Sequence, residues 1–129
     1  MRSSAAANSQ SMSPLAAAVY EILRGRTSAA DPRITYAELA MLLRDRKAAF
    51  GHITHRSAEL YAALCEVGMA CRELELPPLP ALVVRADTRR PGDAYYAGMP
   101  WKHRGERIAA WRRDLEDVKV RRYPRRPPS

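Results

Sequence analysis

The chain has 129 residues, 47% of them apolar and 28% charged, which is one domain's worth with enough apolar side chains for a core. Its 22 Lys and Arg outweigh 14 Asp and Glu, and a net charge of +8 suits a polyanionic partner. No apolar stretch approaches the ~18 residues of a membrane span, the first residues lack the Leu-rich core of a secretory signal, and two cysteines do not make a disulfide framework. These features argue against a membrane protein, a disulfide-stapled secreted domain and a fully disordered chain, and predict a small basic cytoplasmic module.

Residues 1–12 are mostly Ser, Ala, Asn and Gln with no periodicity, which predicts a disordered tail. Ser13-Pro14 then opens a helix, with Ser as N-cap and Pro in the first turn. Leu15, Val19, Ile22 and Leu23 share one face, and the helix is expected to end near Gly25. Asp31-Pro32 marks a turn and Ile34-Thr35-Tyr36 a very short extended segment. Thr35-Tyr36-Ala37-Glu38 is a capping box that starts a second helix, with Leu39, Leu42 and Leu43 turned inward. After a polar connection from Arg44 to Gly51, a third helix is predicted from about Thr54 to Leu74 on the spacing of Leu60, Leu64, Val67 and Cys71. Pro77-Pro78-Leu79-Pro80 stops it.

The period then changes. Ala81 to Arg85 is a β-branched run, Asp87 to Asp93 has turn chemistry, and Ala94 to Ala97 reads as a second strand, which together predict a β-hairpin with a charged tip. A fourth helix fits Lys102 to Val118, with Ile108, Trp111, Leu115 and Val118 on one stripe. Residues 119–129 carry five basic residues, no acid and several prolines, and are expected to form an extended tail. The expected fold class is mainly α with a small β-hairpin, organised as a tail over 1–12, a domain over 13–100, a C-terminal helix over 101–118 and a basic tail over 119–129.

The order helix, short strand, helix, helix, strand, charged loop, strand resembles a winged helix-turn-helix domain over roughly residues 14–98. The segment Ile34-Thr35-Tyr36-Ala37-Glu38-Leu39-Ala40 also resembles the TYGELA start of the winged-helix part of alkyltransferase-like proteins. In that family this helix precedes the DNA-reading helix, and a Pro-Cys-His-Arg motif follows. The corresponding stretch here is similar to Pro78-Leu79-Pro80-Ala81-Leu82-Val83-Val84-Arg85, with no cysteine and no His-Arg pair, so the resemblance does not imply alkyl transfer.

In a winged helix the third helix enters the major groove by its N-terminal end. That end carries His52, Thr54, His55, Arg56 and Ser57, the loop before it Arg44, Arg46 and Lys47, and the hairpin Arg85, Thr88, Arg89 and Arg90. Arg pairs bidentately with phosphate or guanine, and Ser and Thr donate to phosphate, so these clusters are the expected duplex-DNA contacts. Arg121, Arg122, Arg125 and Arg126 would track the phosphate backbone, with Tyr123 stacking on a base. Asp45, Asp87 and Asp93 dilute these clusters. The competing expectation is a protein adaptor or inhibitor, binding through Tyr95, Tyr96 and Trp111. The apolar stripe of the fourth helix is also a candidate for pairing with a second copy in a homodimer, which would suit a palindromic DNA site. His52 and His55 lack a third ligand, Cys65 and Cys71 lie ~120° apart around a helix, and no nucleotide or hydrolase motif is present. No metal, cofactor or catalytic residue is therefore expected. The leading expectation is a non-enzymatic nucleic-acid-binding protein, a regulator or a DNA-binding component of a mobile-element or defence system.

Overall fold

The computed structural model describes residues 12–96 and 103–126. Helix α1 runs Pro14–Arg26, strand β1 Ile34–Thr35, helix α2 Tyr36–Arg46, helix α3 Ala58–Glu73, strand β2 Val83–Val84 and helix α4 Arg104–Val120. Single 3-10 turns lie at Ala48–Phe50, Leu79–Leu82 and Asp93–Tyr96. The protein is mainly helical with one small two-stranded sheet among the described residues. No helix there is long and apolar enough to cross a membrane.

The helix starts follow the local chemistry. Ser13 Oγ accepts from the Ala16 amide at the head of α1, and Ser13 also donates to Glu66 of α3 at 2.6 Å, which ties the two helices together. Thr35 and Glu38 form both halves of a capping box at α2, at 3.0 and 2.9 Å. Helix α3 starts later than Thr54, because Thr54 to Ser57 close a hydroxyl-bonded turn of their own: the Thr54 amide donates to Ser57 Oγ at 2.9 Å and the Arg56 amide to Thr54 Oγ1 at 3.2 Å. At its other end Glu75 takes a left-handed φ of 56°, letting the Leu76 amide reach back to the Cys71 carbonyl at 2.9 Å.

Among the described residues the predicted hairpin does not form. β2 pairs instead with β1, in parallel, with Ile34 opposite Val83 and Thr35 opposite Val84. All four residues are buried, so this pair is held by the core on both faces. Asp93 to Tyr96 is a 3-10 turn rather than a strand; Ala97 to Lys102, including Trp101, lie outside the described residues. Between β2 and this turn the chain closes on itself: the Arg85 amide donates to the Arg90 carbonyl at 2.8 Å, and Arg89 takes a φ of 58° at the tip.

One core joins every element. Val19, Tyr20 and Leu23 of α1 meet Leu39 and Leu43 of α2, Leu60 and Val67 of α3, and Leu79 and Leu82 of the 3-10 turn before β2. Leu42, expected inside, is instead exposed. α4 belongs to this core and is not an appendage. Trp111 is only 4% exposed and donates its indole N–H to the Ala81 carbonyl at 2.8 Å, while Val118 is fully buried. The apolar stripe expected to serve a second copy is thus largely used within the chain. Residues 1–11 lie outside the described residues, but Met12, expected in the disordered tail, packs against the core. Tyr123 is buried too, which corrects its expected role in base stacking: its hydroxyl donates to the Pro77 carbonyl at 2.5 Å.

Candidate nucleic-acid interface

The turn before α3 is a compact, outward-facing knuckle. Arg44 reaches from α2 to donate to the Ile53 carbonyl at 2.6 Å, fixing the turn's start. His52 meets Glu59 of the first α3 turn at 2.9 Å. Tyr61 donates from the second turn to the His55 carbonyl at 3.0 Å. His55 and Arg56 stand exposed at the crest, and the Arg56 side chain has no hydrogen-bond or ion-pair partner among the described residues. Ser57 spends its hydroxyl on Thr54, so it does not cap the first amides of α3. The amides of Ala58 and Glu59 are therefore left without a capping side chain, at the positive end of the helix dipole next in sequence to Arg56.

The same geometry joins this knuckle to the charged loop. The Tyr61 ring lies 5.4 Å from that of Tyr36, at the start of α2. The Tyr36 hydroxyl accepts the Gly92 amide at 3.1 Å. The path His55–Tyr61–Tyr36–Gly92 therefore seats the loop from Arg85 to Gly92 next to the turn that opens α3. Burial of Tyr36 pushes its phenol above the ordinary range, so it stays a neutral hydroxyl in this relay.

The loop's cations are unequally available. Arg85 makes a two-pronged bond to Asp87, at 3.0 and 2.8 Å, and this pairing holds the Asp87 carboxyl below its usual range. Arg89 lies 3.7 Å from Asp31, itself bound by Arg33. Arg90 is half-buried beside a concavity of about 340 Å³, whose walls also include Arg85, Thr88, Asp93, Arg104 and Arg107. Arg104 and Arg107, which the sequence does not single out as contacts, are thus brought to the loop. Their position in the first turn of a helix that follows the loop is the signal the sequence offers. Arg107 also stacks 5.4 Å over the Tyr96 ring.

The remaining predicted DNA contacts divide in the same way. Arg46 pairs with Glu21 at 2.9 Å, and Lys47 lies 5.9 Å from the Phe50 ring centre. Arg121, Arg122, Arg125 and Arg126 are exposed, but they sit on a segment anchored by Tyr123 rather than on a loose tail. The aromatic residues expected to form a protein interface are folded inward. Tyr96 is buried, Trp111 is in the core, and half-buried Tyr95 donates to Asp114 of α4 at 2.5 Å. Burial raises the Asp114 carboxyl, and burial with the adjacent Asp114 raises the Tyr95 phenol. Cys71 is buried with its thiol pushed upward, the opposite of an activated nucleophile. No group of three or more His, Cys, Asp or Glu gathers as a metal site among the described residues. No protein-family model, curated protein or solved structure matches the chain, and the functional reading therefore rests on this geometry alone.

Proposed function

We infer that this chain is a non-enzymatic duplex-DNA-binding protein of winged-helix type, serving as a regulator or as the DNA-binding component of a mobile-element or defence system. The turn before α3 enters the groove, with His55, Arg56 and the open amides of α3 leading. The Arg85–Gly92 loop, which does not form the predicted hairpin, acts in place of a wing, and Arg90, Arg104 and Arg107 approach the phosphates beside it. The observation that carries the reading is the Tyr61–Tyr36–Gly92 relay, which joins two cationic segments far apart in sequence on one side of the fold. The adaptor reading loses its anchors, because Tyr96 and Trp111 are committed to the core.

The test is a salt titration of duplex binding. Each phosphate that the protein no longer neutralises lowers the slope of log affinity against log salt by about 0.9. Arg56→Ala combined with Arg90→Ala should therefore flatten the slope by roughly 1.8 and weaken binding at low salt. Glu59→Gln should act in the other direction, since it removes a carboxylate beside the knuckle. A slope left unchanged by the double substitution, in a protein that still melts like the wild type, would sink the reading.

A further inference from the structure

Arg121 and Arg122 line an open concavity. Beyond α4, the chain folds back over the end of α1. Tyr20 donates to the Pro124 carbonyl at 2.7 Å, and Arg24 Nε donates to the Tyr123 carbonyl at 3.1 Å. A concavity of about 410 Å³ opens between this segment and the α1 end. Arg24, Lys119, Arg121 and Arg122 line it, with Thr27 and Ser28. Arg121 and Arg122 are exposed and hold no carboxylate among the described residues. Lys119 touches Glu116 at 3.3 Å, a pair exposed enough to be weak.

The end of α1 would by itself repel an anion, because its carbonyls carry partial negative charge. Thr27 offsets this, covering the Arg24 carbonyl with its amide at 3.3 Å and its hydroxyl at 3.0 Å. The place of the cleft matters as much as its charge. Tyr123 is bonded to Pro77, just past the C-terminal end of α3. The Arg56 knuckle lies at the N-terminal end of the same 16-residue helix, about 24 Å away at 1.5 Å per residue.

We propose that the Arg24–Lys119–Arg121–Arg122 cleft binds phosphodiester backbone on its own, taking a nucleic-acid segment other than the one beneath the α3 knuckle. Only the second half of that statement rests on the DNA reading above. Guanidinium and ammonium groups around one hollow suit a phosphate with its multiple acceptor oxygens. Sites at both ends of α3 let one protein hold two duplexes.

The experiment measures how many short duplexes, roughly 12 base pairs each, one full-length protein binds at low salt, by sedimentation. Three proteins are compared: wild type, Arg56→Ala with Arg90→Ala, and Arg121→Ser with Arg122→Ser. The serine changes are at exposed positions and should leave the melting temperature in place. Two duplexes on the wild type, falling to one in each variant, is the expected result. One duplex on the wild type, released by the Arg121 and Arg122 changes and indifferent to Arg56 and Arg90, would keep the cleft and discard the knuckle reading. One duplex released by Arg56 and Arg90 but kept by the serine variant would overturn the cleft and keep the knuckle. One duplex weakened by both sets of changes would also overturn the cleft as an independent site.

Discussion

Replacing Trp111 separates a core role from an interface role. Its side chain is 4% exposed and its indole N–H is bonded to the Ala81 carbonyl, just ahead of β2. Trp111→Phe keeps a ring in the site but removes that donor. The stranded carbonyl then costs about 1–3 kcal/mol, with a smaller loss from the narrower ring. At roughly 4 °C per kcal/mol for a domain of this size, the melting temperature should fall by about 8 °C. Trp111→Ala also empties the site of about 150–250 Å² of ring surface, and the total loss should reach about 4–6 kcal/mol. Calorimetry or denaturant melts over a tenfold range of protein concentration provide the assay. The losses should be independent of concentration, since the ring is held within one chain. A phenylalanine variant within ~0.5 kcal/mol of wild type, or a loss that appears only at low protein concentration, would refute the core assignment and return Trp111 to an interface.

Two further outcomes follow from local chemistry. Thr35→Ala removes the hydroxyl half of the α2 capping box and should cost about 1 kcal/mol by urea melting, whereas Thr35→Ser should recover most of it. Asp31 is held down at about 2 by its bond to Arg33, below the usual 3.8, so this pair adds stability above pH 4 and loses it as pH falls toward 2. Both partners are substantially solvated, which keeps the contribution below ~1 kcal/mol. Asp31→Asn should therefore lower the urea midpoint slightly near pH 5 and match wild type near pH 2, and an equal deficit at both pH values would contradict the ion-pair origin.

The parts legible in the sequence are those whose cause is local. Ser13 before Pro14 and Thr35 before Glu38 announce helix starts through bonds spanning three residues, and both form. Leu60, Leu64, Val67 and Cys71 are all buried, as their helical spacing requires. Val83 and Val84 carry real strand propensity, but propensity does not name a partner. Their partner, β1, is 49 residues earlier, and the pairing is parallel. Tyr95 and Tyr96 look strand-like by composition, yet a hydroxyl bond to Asp114 and packing on α4 seat them in a 3-10 turn. The candidate interface is legible as a set of cations but not as a hierarchy. Nothing in the sequence distinguishes Arg56, which is open, from Arg44, which holds a backbone carbonyl, because that carbonyl is nine residues away across a turn. Tyr123 escapes a sequence reading for a related reason. Its basic, proline-rich surroundings favour an extended segment, but that shape also lets a single aromatic ring dock against a distant surface.

The docking of that ring makes the order of chain synthesis matter. The bond from Tyr20 to Pro124 spans 104 positions, and Tyr123 fills core space between the first helix and the stretch after α3. During translation, α1 to α3 emerge before the segment whose Tyr123 completes their shared core. The closing step is thus among the most non-local in the fold, and such pairings slow folding. A protein cut at Val118 to strip away its positive charge would also lose this closure, so a drop in DNA binding by that fragment would report partial unfolding as much as missing arginines.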